Sequence, residues 1–187
     1  MPRILELSLA LLGMFILSPI AVVIVFLVRA TSPGHALFKQ IRVGRGQKPF
    51  TIYKIRTMQL GTIEVGTHLV EAQSVTSIGR ILRKLRLDEI PQLMNVIAGD
   101  MSLVGPRPCL PSQMELIAAR QAENVYTVRP GITGLAQIQG LDMSNPLELA
   151  KVDGAYVRDR SIVLDLRIIF QTITGRAIDT RPNVHAK

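Results

Sequence analysis

Residues 7–28 read LSLALLGMFILSPIAVVIVFLV, a run of 22 residues without a charged side chain. About 20 apolar residues are enough for a helix to cross a bilayer. A cleaved secretory signal would have a shorter apolar core, followed by small residues at a cleavage site. Here the run leads directly into basic residues, so we interpret residues 1–30 as a retained membrane anchor.

The pair Ser18-Pro19 interrupts this apolar run near its middle. Proline lacks a backbone donor and clashes with the preceding turn, so it kinks a helix, and Ser18 can satisfy carbonyls that the break frees. Two arrangements fit the residues equally well. One is a kinked spanning helix, which membranes tolerate, and the other is a re-entrant hairpin whose two ends leave on the same side.

The basic flank that follows Val28 sets the orientation in either arrangement, because such flanks stay in the cytoplasm. No acidic residue lies between Glu6 and Glu64 in a chain whose net charge is +8. Seven basic residues occupy that interval: Arg29, Lys39, Arg42, Arg45, Lys48, Lys54 and Arg56. This block predicts an anionic partner. Its position beside the apolar run favours lipid headgroups and phosphates.

Several classes of protein are disfavoured by the composition. Nucleic-acid binding has no supporting motif and only 4% aromatic residues for base stacking. The single cysteine, Cys109, excludes an internal disulfide. The sequence contains no zinc-type Cys/His spacing, no Walker loop and no dinucleotide fingerprint. The length of 187 residues suits one domain, which we place at residues 31–187, on the cytoplasmic side of the membrane.

Residues 36–41 and 49–55 alternate like strands around the turn Gly44-Arg45-Gly46, which predicts a β-hairpin. Helices are predicted over residues 78–87 with Ser77 as the cap, between Pro91 and Gly99, and through Glu123 with Ser112 as the cap. Two more are predicted, one that Asn145-Pro146 starts and that runs to Val157, and one from Ser161 to Thr174. Residues 61–73 and the glycine-rich residues 128–140 are expected to be irregular. Together these elements predict an α+β, predominantly helical fold with a membrane helix broken at Ser18-Pro19 and amphipathic helices at the membrane interface.

The last predicted helix has an apolar stripe formed by Ile162, Val163, Leu166, Ile169, Phe170 and Ile173. Such a stripe either packs on the protein core or lies on the membrane surface. Packing on the core is the favoured interpretation.

Adjacent carboxylates at Asp88 and Glu89 are the strongest local candidates for chemistry. They follow a helix that carries Arg80, Arg83, Lys84 and Arg86, and they precede Pro91. Asp88 is also expected near a helix N-terminus, where a carboxylate is favoured. Such pairs are nevertheless common on protein surfaces, so the spacing alone favours an ordinary surface pair.

Three further stretches could bind phosphate. Arg107 stands between two prolines, in a rigid turn from which its guanidinium can bind a phosphate through two parallel hydrogen bonds. Lys54 and Arg56 alternate along a predicted strand and are expected to share one face. The glycines of residues 128–137 could let backbone amides cradle a phosphate. The first two stretches also fit an ordinary structural interpretation, as a turn with a solvated Arg107 and as a polar strand face.

Taken in order, these stretches resemble one family, the bacterial sugar transferases, also known as monotopic phosphoglycosyl transferases. The matching runs are Lys54-Ile55-Arg56-Thr57-Met58, Leu87-Asp88-Glu89-Ile90-Pro91-Gln92-Leu93-Met94-Asn95-Val96, Gly99-Asp100-Met101-Ser102-Leu103-Val104-Gly105-Pro106-Arg107-Pro108 and Arg129-Pro130-Gly131-Ile132-Thr133-Gly134-Leu135-Ala136-Gln137. The resemblance covers nearly the whole chain and has the length of the minimal catalytic form.

The resemblance implies a reaction and a set of roles. Asp88 would attack the β-phosphorus of a UDP-sugar and expel UMP, and the resulting acyl phosphate would pass its phospho-sugar to polyprenyl (undecaprenyl) phosphate. Glu89 would help to hold Mg²⁺. Lys54, Arg83 and Arg107 match positions around the phosphates, with Arg56 a weaker addition. The family also implies the re-entrant arrangement at Ser18-Pro19, at the cytoplasmic face of the bacterial inner membrane.

One departure from the family pattern occurs after Gln137. The family usually reads Val-Asn-Gly-Arg there, whereas this chain reads Ile138-Gln139-Gly140-Leu141. The missing arginine is linked to handling of the sugar nucleotide, so either another cation substitutes or the sugar class differs. Asp153 and Asp165 match acidic positions whose role is structural or linked to substrate. The identity of the sugar, the glycan pathway and a possible homodimer are left open.

Overall fold

The computed structural model describes residues 1–62 and 74–175. It is α+β and predominantly helical, as the sequence predicts. Most of the predicted loop at 61–73 lies outside the described residues, as does the end of the expected domain beyond residue 175.

Helix α1 (Arg3–Thr31) contains the whole apolar run with Pro19 inside it. The expected break into two helices is therefore wrong at the level of secondary structure. Proline cannot donate to the carbonyl of Phe15, four residues earlier, and Ser18 Oγ donates to that carbonyl instead, at 3.0 Å. This substitute hydrogen bond explains how the helix continues through the proline.

One face of α1 packs along the rest of the protein. Ala10 lies in a cluster with Ile52, Leu93, Val96 and Met101. Further along the helix, Ile24 and Val28 join a second cluster with Ile55, Leu82 and Ile90. The opposite face is exposed and apolar, and it includes Leu11, Leu12, Phe15, Ile16, Ile20, Val22, Val23 and Phe26.

The predicted hairpin is confirmed. Strands β1 (Leu37–Val43) and β2 (Pro49–Ile55) pair antiparallel, with Leu37 opposite Ile55 and Val43 opposite Pro49. Gly46 adopts a φ of 63° in the connection, a left-handed conformation that glycine reaches without steric penalty. The free edge of β2 is bound by the buried side chain of Asn95, which accepts from Tyr53 N at 3.1 Å and donates to Thr51 O at 2.7 Å.

The predicted helices are present, with corrections at two of their starts. The first is α2 (Ser77–Lys84), whose cap is Thr76 rather than Ser77. Helix α3 (Gln92–Ala98) begins after Pro91 and ends at Gly99. Helix α4 (Met114–Ala122) begins two residues after Ser112, and Gln113 occupies its cap position. Asn145 and Ser161 cap α6 (Pro146–Asp159) and α7 (Ile162–Thr174), as expected.

The segment expected to be irregular at 128–140 contains regular structure. Strand β4 (Gly131–Thr133) pairs parallel with β3 (Ser102–Val104), and the short helix α5 (Leu135–Ile138) follows it. A side chain on Gly131 would come within 2.1 Å of the Gly105 nitrogen, so the backbones meet where only glycine fits. Strands this short give no periodic signal, because their pairing depends on a partner distant in sequence.

The prediction that the whole apolar stripe of α7 packs on the protein core is wrong. Ile168 and Asp165 are buried, whereas Ile162, Val163, Leu166, Phe170 and Ile173 are all exposed. The core-facing side of α7 is therefore narrower than its apolar stripe, and the helix presents an outward apolar face. Such a face suits a membrane surface, the alternative that the sequence left open.

Candidate active site

Asp88 and Glu89 occupy a single 3-10 turn, Leu87–Glu89, between α2 and α3. The turn is entered through Arg86, whose φ of 56° is left-handed. Asp88 is largely buried. Both carboxylates line a cavity of about 720 Å³, as do Lys54, Arg83 and Arg107. Arg56 also lines this cavity, so the structure brings together all six site residues predicted for catalysis and phosphate binding.

Glu89 is the centre of an ion-pair network. Lys54 Nζ lies 3.1 Å and Arg107 Nη2 lies 2.7 Å from the same oxygen, Glu89 Oε1. Burial alone would raise the pKa of Glu89, but Arg107 and Lys54 outweigh it and lower that pKa to about 2. Glu89 is therefore ionised at neutral pH and helps to keep both cations in the cavity.

Lys54 feels opposing influences. Burial and the nearby Arg107 lower its pKa to about 8, although Glu89 and Asp88 act to raise it. The lysine comes from β2, and the turn that bears the carboxylates leads into α3. Because Asn95 of α3 binds the edge of β2, α3 fixes the separation between the lysine and the carboxylates.

Asp88 differs from its neighbour. Burial raises its pKa, the Glu89 carboxylate adds to that effect, and Lys54 and Arg83 counter it. No side-chain hydrogen bond to Asp88 is present within residues 1–62 and 74–175. Its carboxylate thus lies in a cation-lined cavity while the cations themselves bind other groups, which suits a group that must react.

Arg83 is placed by a residue that the sequence argument did not single out. Its Nε donates to Thr57 Oγ1 at 2.8 Å, which ties α2 to the end of the hairpin. Burial lowers the pKa of Arg83, and Asp88 opposes that shift. Thr57 belongs to the Lys54–Met58 run, so the run itself was the available signal.

Arg56 is placed differently from the other predicted cations. Its side chain is buried, and its two terminal nitrogens donate to the carbonyls of Pro33 and Ser32. These carbonyls belong to the segment that leaves α1. This geometry favours a structural role, joining the membrane helix to β2, rather than the expected contact with phosphate.

The loop that carries Arg107 is held by its backbone. Four successive carbonyls accept hydrogen bonds from other elements: Pro106 O from Gly131 N at 2.9 Å, Arg107 O from Arg120 Nη1 at 2.8 Å, Pro108 O from Arg42 Nη1 at 3.1 Å, and Cys109 O from Val43 N at 3.0 Å. The rigid turn predicted from the flanking prolines is thus fixed to β1, β4 and α4. Residues 128–137, expected to cradle phosphate, instead use the Gly131 amide to support this loop.

The two acidic positions of the C-terminal helices bind protein groups. Asp153 on α6 forms a buried ion pair with Arg120 on α4, at 2.6 Å. Asp165 on α7 accepts a hydrogen bond from the Tyr156 hydroxyl at 2.8 Å. The structural alternative for both aspartates is therefore favoured. Arg120 belongs to no motif in the sequence, so its connection to the Arg107 loop was not predictable.

Leu141 lines the same cavity as Asp88, as do Gln40 and Arg42. It packs against the apolar cluster around Val43 and Leu149. Arg42 donates to Gln40 Oε1 through Nε at 3.0 Å. The position where the family pattern has an arginine is therefore apolar here, whereas Arg42 from β1 is a cation that lines the same cavity.

Comparison with known families gives the class of protein. The model of the family described as bacterial sugar transferase matches residues 1–177. The chain therefore belongs to the bacterial sugar transferase family.

Individual relatives extend this result. The chain is 42% identical over 164 residues to the uncharacterized sugar transferase EpsL of Bacillus subtilis, covering 86% of this chain and 81% of the relative. It is 40% identical over 182 residues to the UDP-glucose:undecaprenyl-phosphate glucose-1-phosphate transferase of Caulobacter vibrioides, covering 91% and 67%. It is 36% identical over 171 residues to the UDP-N-acetylgalactosamine-undecaprenyl-phosphate N-acetylgalactosaminephosphotransferase of Aeromonas hydrophila, covering 88% of this chain and 40% of that relative.

Proposed function

We propose that this protein transfers a phospho-sugar from a UDP-sugar to a polyprenyl phosphate, with Asp88 as the nucleophile. The observation that carries the proposal is a buried carboxylate in a cavity lined by Lys54, Arg83 and Arg107. The names of two relatives describe the same type of transfer with different sugars. The sugar used by this chain is therefore left unassigned.

In the first step, a carboxylate oxygen of Asp88 attacks the β-phosphorus of the donor. The bond from that phosphorus to the oxygen bridging the two phosphates breaks, and UMP leaves with that oxygen and its electron pair. Asp88 then carries the sugar phosphate as an acyl phosphate. In the second step, an oxygen of polyprenyl phosphate attacks the same phosphorus, and the Asp88 carboxylate is released unchanged.

The cations of the cavity make this attack feasible. An anionic carboxylate must approach an anionic diphosphate, so positive charge placed in advance lowers the barrier. Arg107 and Lys54 bring such charge beside Asp88, and Glu89 holds them there. Arg83 approaches from α2 and completes the positive side of the cavity.

Mg²⁺ is the cofactor that we assign to this site, with Glu89 as its protein ligand. Magnesium at phosphate-transfer sites commonly uses one or two carboxylates and completes its shell with substrate phosphates and water. Because Lys54 and Arg107 both donate to Oε1 of Glu89, the second oxygen of this carboxylate can face a cation. When bound, the ion neutralises charge on the diphosphate.

The position of α1 supports insertion into the membrane from one side. Among the described residues, α1 is the one helix long and apolar enough to cross a membrane. Yet both of its ends contact the same domain. Near the start, Glu6 accepts from Leu103 N at 2.9 Å, and near the end the buried Val28 packs in the cluster that contains Leu82. A spanning helix would place those ends on opposite sides of the bilayer.

We therefore propose that both ends of α1 face the cytoplasm, at the inner membrane. The exposed apolar faces of α1 and α7 would contact lipid. This arrangement would bring Asp88 close to the headgroups, where the phosphate of the acceptor lies.

The reaction is tested with purified protein in nanodiscs containing undecaprenyl phosphate and Mg²⁺, supplied with a panel of UDP-sugars. We expect UMP release with at least one sugar and radiolabel from the sugar phosphate on the protein when the acceptor is omitted. Asp88→Asn should abolish both signals. UMP release that survives this substitution would reject Asp88 as the nucleophile, and no release with any sugar would favour a non-catalytic scaffold.

The topology is tested separately with single cysteines at residues 2 and 32, in a protein whose buried Cys109 is replaced by alanine. A membrane-impermeant thiol reagent should label both sites from the cytoplasmic side of inverted vesicles. Labelling of the two sites from opposite sides would reject insertion from one side.

A further inference from the structure

Arg120 and Asp153 lie outside the 720 Å³ cavity and are almost completely buried. Arg120 donates to Asp153 Oδ2 through Nε at 2.9 Å and through Nη2 at 2.6 Å. Its third nitrogen, Nη1, donates to the carbonyl of Arg107 at 2.8 Å. One guanidinium thus joins a buried carboxylate to the backbone of a residue that lines the site.

The bound carbonyl belongs to the one non-proline residue of the Pro106-Arg107-Pro108 turn. The rings of Pro106 and Pro108 fix their own φ angles, and a residue that precedes proline has a restricted backbone. The main freedom that remains is rotation of the peptide plane between Arg107 and Pro108, and the direction of the Arg107 carbonyl shows how that plane is turned. Fixing this carbonyl therefore fixes the position from which the Arg107 side chain reaches Glu89, 2.7 Å away.

A purely structural reason for the buried pair is weak. Replacing a buried ion pair by apolar residues is often neutral or stabilising, because both charges lose their hydration. Helices α4 and α6 already pack through Leu116 and Leu149. Burial acts to lower the pKa of Arg120, but the Asp153 carboxylate outweighs it and raises that pKa above its ordinary value. Arg120 is thus charged, and its Nη1 donates to the Arg107 carbonyl, a hydrogen bond that a pair of apolar residues could not make.

We propose that Arg120, oriented by Asp153, is a positioning residue that holds Arg107 against Glu89 for the transfer of the phospho-sugar. This inference rests on the proposed function and extends it to a pair outside the cavity. Arg120 acts through Arg107 and touches neither substrate. The chain offers a matched control, because a second ion pair, Arg158 with Glu123 at 3.0 Å, joins α6 to the C-cap residue of α4 at the surface.

The test compares Arg120→Lys with Arg158→Lys. Lysine keeps the charge beside Asp153 but lacks the fork that also reaches the Arg107 carbonyl. We expect kcat for UMP release to fall about 10- to 100-fold, the order expected when a reacting group is displaced by about 1 Å. The KM for the UDP-sugar should change much less than kcat. Arg158→Lys should leave both values unchanged.

A second comparison repeats both substitutions in an Arg107→Ala background. If Arg120 acts through Arg107, Arg120→Lys causes no further loss there, because residues that share one interaction are non-additive. An equal loss in both backgrounds would overturn the proposal. So would a comparable loss with Arg158→Lys.

Thermal unfolding in detergent shows whether each variant is folded. If Arg120→Lys is not, Asp153→Asn takes its place, since the amide keeps an oxygen acceptor but loses the charge that orients Arg120. Failure of both variants to fold would also overturn the proposal, because the pair would then be required for the fold itself.

The result for the unsubstituted protein keeps the two proposals distinct. If it releases no UMP, the proposed function fails whatever the variants do. The positioning role is then tested by the crystal structure of Arg120→Lys, in which the Arg107 guanidinium should move away from Glu89 Oε1, a contact of 2.7 Å in the unsubstituted protein. An unchanged contact between Arg107 and Glu89 in that variant would overturn it.

Discussion

Arg107 Nη2 lies 2.7 Å from Glu89 Oε1, and this contact joins the loop after β3 to the turn that carries Asp88. The two residues are 18 positions apart and belong to different elements. Their contact allows a cation to face Asp88 without binding it. The electrostatics of the candidate site therefore depend on this pair.

The first prediction concerns Arg107→Ala. Removing one preorganised cation from a site where charge develops reduces kcat about 100- to 1000-fold, and UMP release measures this loss. The fold should persist, because the Arg107 side chain is 35% exposed. Arg158→Ala removes an arginine of similar size from the surface and serves as the control. Activity of Arg107→Ala equal to that of the control would show that Arg107 does not contribute.

The second prediction concerns the charge on Lys54. Its pKa is lowered to about 8 from an ordinary value of 10.5, so the charged form predominates at neutral pH and is lost as the pH rises through about 8. An NMR titration of the lysine side chain in EDTA measures this midpoint directly. Because Glu89 raises this pKa and Arg107 lowers it, Glu89→Gln should move the midpoint down and Arg107→Ala should move it up. A midpoint near 10.5 would contradict the burial of this lysine.

The third prediction separates Arg56 from the cations proposed to act in catalysis. Arg56→Ala removes the donors to the carbonyls of Ser32 and Pro33, and unsatisfied buried groups cost about 1–3 kcal/mol each. We expect a lower unfolding temperature in detergent, with little change in the KM for the UDP-sugar. Lys54→Ala should instead cause a large loss of activity with little change in the unfolding temperature. A raised KM at unchanged stability would return Arg56 to the phosphate site.

The fourth prediction concerns the way α1 passes through Pro19. With proline present, Ser18 Oγ supplies a donor to Phe15 O, and Ser18→Ala should lower stability by about 0.5–1.5 kcal/mol, the net value of one hydrogen bond. In a Pro19→Ala protein, the new backbone N–H can donate to that carbonyl. Ser18→Ala should then have almost no effect. Thermal unfolding in one detergent measures all four proteins, and equal effects in both backgrounds would show that the two residues act independently.

Local patterns in the sequence were sufficient for much of the fold. The apolar run predicted α1, alternation predicted the β1–β2 hairpin, and Asn145 and Ser161 marked the starts of α6 and α7. These features depend on neighbours within a few residues, so the sequence displays them directly. The same reasoning missed β3 and β4, because a strand of three residues forms only where a distant strand meets it.

Through the family resemblance, the sequence also predicted Asp88 and Glu89 as the reacting pair, and the structure places both in one cavity with the predicted cations. It could not separate Lys54 from Arg56, since both follow the same alternation, and it did not detect Arg120, which belongs to no motif. It favoured core packing for the apolar stripe of α7, which the structure leaves largely exposed.

By itself, then, the sequence determined which segments are helical or apolar and which residue types are available for chemistry. The tertiary structure decided which groups bind one another: Arg107 with Glu89, Arg120 with Asp153, and Arg56 with the backbone that leaves α1. The physical reason is the difference in the sequence distance over which these influences act. Propensity and periodicity act over a few residues, whereas hydrogen bonds and ion pairs depend on distances that only the packed chain sets.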